Sequence, residues 1–307
     1  MIAIDLGSNT IRFLHYDCQQ KIQIAEYERA VRTAEGMANN SGNITDEAIA
    51  RIIDAVTFAK TKMNFEEQSV QAFTTAAFRH ANNSHEAIQA IYENTHIKFE
   101  IIDPEYEAHL CADAVYGAAT MATDIKTLFI VDLGGASTEI IYKSESRTIS
   151  KSFEMGIVTS ATRYGSDYEG LLECIAPTLQ QMKTFVDEIN SQFGMPDAFA
   201  STAGTPTTIA ALKLGMDYHS YDKARINTTK LLLCDIKKVF DTLVNLSHEK
   251  REAIVGENRG DLILTGIVIF LEIFKTINYE ATVVYDDGLR EGIAYDYCKE
   301  TIKKEGL

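Results

Sequence analysis

The chain has 307 residues, which suits two domains of about 150 residues better than one. With 46% hydrophobic and 24% charged residues the composition is that of an average folded domain pair, which excludes disorder. A formal net charge of −15 repels nucleic acid and anionic membranes, which sets both aside as partners, and a polyanionic ligand would need positive charge gathered locally.

The chain runs at once into a strand-like Ile2-Ala3-Ile4 with no basic segment, apolar stretch or cleavage site ahead of it, so a cytoplasmic location is expected. Ile2 to Asp5, Ile11 to Tyr16 and Ile22 to Tyr27 read as strands between short polar breaks. Thr45 suits a helix N-cap, with Asp46 and Glu47 in the first turn and Ile49, Ile52, Ile53, Val56 and Met63 at helical spacing. Val70 to Thr74 and Phe99 to Ile102 read as further strands around a helix that Ser84 would cap. Asp103 then stands at an N-cap position before Pro104, which predicts a helix to about Ala119 with Glu107 near its start.

The small, weakly polar stretch 117–126 is the natural crossover and divides the chain into domains 1–118 and 119–307. Beyond it the opening pattern returns. Ile4-Asp5-Leu6-Gly7-Ser8-Asn9-Thr10 is echoed by Val131-Asp132-Leu133-Gly134-Gly135-Ala136-Ser137-Thr138, each between two apolar strands, which is a duplication at domain scale. Helices are expected near 156–164, 168–192, 206–213, 235–246 and 258–276, and a strand over Ala281 to Tyr285. The apolar run Leu262 to Leu271 is far short of the roughly 20 residues of a membrane span and reads as a buried helix. Five scattered cysteines without a C-x-x-C pair suggest neither a disulfide framework nor a zinc site, and read as small buried hydrophobes. The sequence has no H-x-x-x-H, G-x-S-x-G or P-loop pattern.

A buried strand that ends in Asp and is followed by Gly and small hydroxyl or amide residues makes a tight hairpin whose backbone N–H groups can face an anion. Two such loops, Gly7 to Thr10 after Asp5 and Gly134 to Thr138 after Asp132, point to a phosphate chain with a divalent cation. Mg2+ suits that setting because it takes oxygen from carboxylate, phosphate and water.

These blocks resemble the exopolyphosphatase and guanosine pentaphosphate phosphohydrolase family, within the actin- and hexokinase-like superfamily. The resemblance runs nearly end to end through D-L-G-S-N-T-I-R (5–12), V-R-T-A-E-G-M (31–37), R-H-A-N-N (79–83), E-Y-E-A-H-L (105–110), D-L-G-G-A-S-T-E (132–139), M-G (155–156), S-T-A-G-T (201–205), R-G-D (259–261) and G-L-R-E-G (288–292). It implies an α/β fold of two ribonuclease-H-like (actin-like ATPase) domains flanking a cleft, with the last helix, 293–307, packing back onto the first domain. The implied activity is Mg-dependent hydrolysis of a terminal phosphate from polyphosphate or from pppGpp.

By the same resemblance Glu107 aligns with the family's catalytic base, a carboxylate that would orient an in-line water and accept its proton. Glu139 joins Asp5 and Asp132 as an implied metal ligand. Arg12 and Arg79 match family positions where a guanidinium fork neutralises phosphate oxygens alongside Gly7, Ser8, Asn9, Thr10, Gly134, Gly135, Ala136, Ser137 and Thr138. Ala203, Gly204 and Thr205 form the turn that approaches a nucleoside or substrate, and Arg259 and Arg290 fall in blocks that suit interdomain packing. Two departures stand out. His109 replaces the arginine usual after Glu-Ala, and Ala136 replaces a third glycine, at a cost of about 1 kcal/mol if that position required φ > 0. Longer relatives continue beyond the G-L-R-E-G block into helical domains, so this chain is expected to release long polyphosphate between cuts unless a homodimer extends the groove. Two uses compete with the exopolyphosphatase: a pppGpp 5′-phosphohydrolase, and a nucleotide-binding regulator or scaffold without turnover.

Overall fold

The computed structural model describes residues 1–305, with side chains through Thr301. The chain forms two compact units, one of Met1–Ala114 together with the helix that begins at Leu289, the other of Val115–Gly288. In the first unit β1 (Ile2–Leu6), β2 (Thr10–Asp17) and β3 (Ile22–Ala30) form an antiparallel meander. There follow α1 (Asp46–Lys60), β4 (Val70–Thr74), α2 (Ala76–His80), α3 (Ser84–Thr95), β5 (Glu100–Ile101) and α4 (Pro104–Ala122), the last of which crosses the boundary between the units. With β4 parallel to β1 and β5 parallel to β4, the sheet order is β3-β2-β1-β4-β5.

The second unit opens the same way, with an antiparallel meander of β6 (Thr127–Leu133), β7 (Thr138–Ser144) and β8 (Arg147–Phe153). Next come α5 (Ile157–Tyr164), α6 (Tyr168–Phe193), β9 (Ala198–Thr202), α7 (Gly204–Lys213), α8 (Lys223–Ile226), β10 (Thr229–Leu232), α9 (Leu233–Val244), α10 (His248–Val255), α11 (Leu262–Ile277) and β11 (Ala281–Val284). The order is β10-β11-β9-β6-β7-β8. Apart from the added β10, it repeats the first sheet strand for strand, since β9 is parallel to β6 and β11 parallel to β9. The duplication read from two short loops therefore extends to both sheets. The last helix, α12 (Leu289–Glu305), counts with the first unit and starts before the expected 293.

Strand alternation explains why the first sheet takes helices on both faces. Ile2, Ile4 and Leu6 pack with Ile52 and Val56 of α1, while Met1 and Ala3, on the opposite face, pack with Leu289, Ile293 and Ala294 of α12. Thr45 caps α1 as expected, its Oγ1 accepting from Ala48 N at 3.2 Å. Asp103 does the same for α4, accepting from Tyr106 N at 2.8 Å. Ser84 is the first helical residue rather than the cap. The N-cap position belongs to Asn83, whose side-chain amide instead brackets the backbone of Ile44 at 2.8 and 2.9 Å. The apolar run from Leu262 lies within α11 and is buried, and among the described residues no helix is long and apolar enough to cross a membrane.

Several contacts fasten α12. A Cβ on Gly292 would stand 2.2 Å from Leu110 O, so only glycine lets α12 approach α4 this closely. Arg290 is buried and pairs with Glu26 at 3.0 Å and Glu291 at 2.7 Å, which makes it a packing residue inside the first unit. Tyr106 donates to Asp296 at 3.0 Å, and burial together with this bond pushes its hydroxyl up to about 12, so it stays a donor at neutral pH. Cys18, just past β2, forms a disulfide with Cys298 of α12. That corrects the reading of the cysteines as small buried hydrophobes, as do the exposed thiols of Cys174 and Cys234. A pair separated by 280 residues leaves no spacing pattern to read.

Candidate functional site

Each unit joins its first two strands by the same hairpin. Gly7 N donates to Thr10 O and Gly134 N to Ser137 O, both at 3.0 Å. In both hairpins carbonyls other than the closing one are held from behind. Gly7 O accepts from Thr33 Oγ1 at 2.9 Å, Ser8 O from Ala34 N at 2.9 Å, and Asn9 O from Val31 N and Arg32 N at 2.8 Å. In the second unit Gly134 O accepts from Ile157 N at 3.0 Å and Gly135 O from Val158 N at 2.7 Å, both at the start of α5. With the carbonyls committed, the amides of Ser8, Asn9, Gly135, Ala136 and Ser137 find no acceptor among the described residues, nor do the hydroxyls of Ser8 and Ser137. Runs of backbone N–H groups of this kind suit an anion, whereas Asn9 Oδ1, also buried without a partner, is an acceptor and does not.

This geometry gives two sequence blocks a role that spacing did not reveal. V-R-T-A (31–34) braces the first hairpin, and the residues just after M-G (155–156), Ile157 and Val158, brace the second. Gly156 lies so close to the second hairpin that a Cβ there would meet the Ala136 backbone at 2.3 to 2.4 Å. Ala136 itself lies outside the positive-φ region, so the penalty expected from its missing glycine does not arise.

The carboxylates divide in an ordered way. Asp5 is the register partner of Arg12, and Asp132 is the register partner of Glu139, at equivalent places in the two copies. Asp5 is buried with its Oδ2 3.8 Å from Arg12 Nη1, while Arg12 Nε also stands 3.4 Å from Glu28. Arg12 is thus shared between two carboxylates rather than presented alone to a phosphate. Glu139 is buried and accepts from Ser152 Oγ at 2.7 Å, a partner contributed by the next strand, β8. Among the described residues no cluster of three metal-ligating side chains occurs. Within the second unit, Asp132 and Glu139 offer two hard oxygen donors, which fits an ion such as Mg2+ that keeps several waters and takes phosphate oxygens. Asp5, already paired with Arg12, fits that role less well.

Glu107 lies in the first turn of α4, nearly buried, and its Oε2 accepts from Arg79 Nη1 at 2.7 Å. The structure therefore places Arg79 on Glu107, a pairing that nothing in the sequence marked. His109, in the arginine's place, is exposed and stands 3.7 Å from Asp113.

The third loop departs from ideal backbone. Ala203 has φ 75° and ψ −179°, a combination that glycine adopts easily and alanine at a cost of roughly 1 to 3 kcal/mol. It heads α7, in which Thr205 packs against α11, where a Cβ on Gly266 would stand 2.3 Å from Thr205 Oγ1. Thr202 Oγ1 donates to Asp287 O at 2.9 Å, and buried Asp287 is held by Asn227 at 2.6 Å and Lys223 at 3.4 Å. Those partners come from α8 and the turn after it, elements the sequence reading did not anticipate.

Two sheets of repeated order, each with an N–H-lined hairpin after its first strand, define a duplicated α/β protein of the ribonuclease-H-like, actin-like type. The chain belongs to the Ppx/GppA phosphatase family, which it matches over residues 17–301. It is 26% identical to guanosine-5′-triphosphate,3′-diphosphate pyrophosphatase of Photobacterium profundum, over 96% of this chain and 58% of that protein. It is 27% identical to the protein of the same name from Vibrio cholerae, over 97% of this chain and 59% of that one. The chain thus spans just under three fifths of the length of these curated relatives. Among solved structures, the Ppx/GppA family member of Aquifex aeolicus superposes with a TM-score of 0.72 at 25% identity, covering 99% of this chain and 97% of that one. An exopolyphosphatase from Cytophaga hutchinsonii shares the fold with a TM-score of 0.84 at 23% identity, covering 97% of each chain.

Proposed function

We propose that the chain hydrolyses phosphoanhydride bonds, releasing the terminal phosphate of inorganic polyphosphate, with Glu107 as general base and Mg2+ as cofactor. The observation that carries this reading is the pair of hairpins whose carbonyls are braced and whose amides are left for an anion. Their residues are small, so they suit phosphate oxygens and give a purine base nothing to stack on. In the reaction Glu107 accepts a proton from water as the new O–P bond forms. The bridging P–O bond to the rest of the chain breaks, leaving orthophosphate and a polyphosphate one unit shorter. The hairpin amides hold the phosphate oxygens as charge redistributes. Asp132 and Glu139 are the residues that would hold Mg2+, which when bound supplies neutralisation of the charge gathering on the departing phosphate.

The second reading is pppGpp 5′-phosphohydrolysis, favoured by the names of the Photobacterium and Vibrio relatives. Phosphate release measured side by side on long polyphosphate, short polyphosphate, pppGpp and ATP separates the two. Fastest release from polyphosphate supports the first reading, and a clear preference for pppGpp transfers the assignment to the second. Tight binding with no release from any of them would mean a regulator.

A further inference from the structure

In the first unit α2 ends on Arg79 and His80, and one guanidinium nitrogen ties that end to two other segments. Arg79 Nη1 donates to Ile102 O, just past β5, at 2.8 Å and to Glu107 Oε2, in the first turn of α4, at 2.7 Å. The two side chains are only 14% and 12% exposed. The backbone of Glu107 is itself fixed, its N–H donating to Asp103 O at 3.0 Å. A glutamate side chain has three rotatable bonds, and proton acceptance in an in-line attack tolerates little misplacement. A charge-assisted bond of this length between largely buried groups supplies that constraint. An arginine that grips phosphate does so with a pair of parallel N–H groups. Here both Nη1 hydrogens serve the protein, one a carbonyl and the other a carboxylate, so an end-on grip on phosphate through Nη1 and Nη2 would have to give up one of these bonds.

Resting on the assignment of Glu107 as base, we propose that Arg79 is a positioning residue. It holds Glu107 Oε2 against Ile102 and α4 so that the carboxylate meets the attacking water in one orientation, and it acts on the reaction through Glu107 rather than by gripping phosphate. A lysine would keep the charge but not the planar geometry that serves both acceptors at once.

The test is a double-mutant cycle of Arg79→Gln, Glu107→Gln and the double variant, with kcat and KM for phosphate release measured on polyphosphate and on pppGpp with Mg2+. Arg79→Gln should lower kcat by about 10²-fold with KM moved by less than about threefold. The double variant should be no slower than Glu107→Gln alone, because a residue that acts through a base has nothing left to act on. A purely structural role would instead lower the melting temperature and the active fraction and add to the Glu107 defect. Multiplying losses in the double variant, or a raised KM with kcat retained, would overturn the positioning role while leaving the base in place. Glu107→Gln turning over within about threefold of the parent would remove the base assignment and the positioning role with it. Arg79→Lys is taken through the same cycle, so that poor folding of the glutamine variant still leaves the question decided.

Discussion

Gly156→Ala is the sharpest perturbation of the braced-hairpin geometry, because it adds one methyl group and touches no ligand donor. That methyl would stand 2.3 to 2.4 Å from the N, Cα and C atoms of Ala136, and backbone atoms cannot swing aside as a side-chain end can. Either the start of α5 or the second hairpin must move, and both Ile157 N to Gly134 O and Val158 N to Gly135 O lie across that junction. Loss of the two hydrogen bonds costs about 1 kcal/mol each, and overpacking adds about 1 to 3 kcal/mol. The sum of about 3 to 5 kcal/mol corresponds to a fall of roughly 10 °C in apparent melting temperature for a chain of this kind. Phosphate release should fall further than stability alone explains at 25 °C, since the amides of Gly135, Ala136 and Ser137 move together. Gly117→Ala is the control: it lies within α4 with nothing inside 4 Å of its added Cβ, and should gain about 0.5 to 1 kcal/mol from helix propensity. If Gly156→Ala melts within about 2 °C of the parent and releases phosphate at the parental rate, the hairpin is not braced in this way.

Two further outcomes follow from the site. EDTA should abolish phosphate release and added Mg2+ should restore it, because on the proposed reaction the charge gathering on the departing phosphate would lose its counter-ion; full activity in EDTA would refute the metal role. Ala203→Gly should raise stability by about 1 kcal/mol, since relief of the φ 75° strain outweighs glycine's extra chain entropy, and a lower melting temperature would contradict the strain.

Features written locally in the chain were legible in the sequence. Strand alternation in Ile2 to Asp5, the Thr45 and Asp103 caps, and the Asp-x-Gly hairpins each depend on residues within a few positions of one another. The hidden features are contacts between distant segments. Arg79 with Glu107, Ser152 with Glu139 and Cys18 with Cys298 have no spacing that ordinary surface or core residues lack. Short helices were missed for a related reason. Lys223–Ile226 has a single turn and no room for a periodic apolar face, and His248–Val255 buries only Val255, so tertiary contacts rather than patterning hold them in place. The M-G block was visible as a motif, yet its purpose depends on what lies opposite Gly156, and that is a property of the folded backbone.

The two copies of the hairpin unit have diverged most tellingly at one register position. Opposite Asp5 stands Arg12, so the first copy carries a cation within its own sheet, 3.8 Å from the buried carboxylate. Opposite Asp132 stands Glu139, and two like charges directly across an antiparallel pair oppose folding unless other groups compensate. The Ser152 hydroxyl on Glu139 is one such group, since a hydrogen bond lowers the cost of burying a carboxylate. Two hard oxygen donors next to the second hairpin suit a cation that arrives with a phosphate ligand. The two copies thus differ in local charge at this position, an ion pair in the first and two carboxylates in the second, and on the function proposed above it is the second pair that would hold Mg2+.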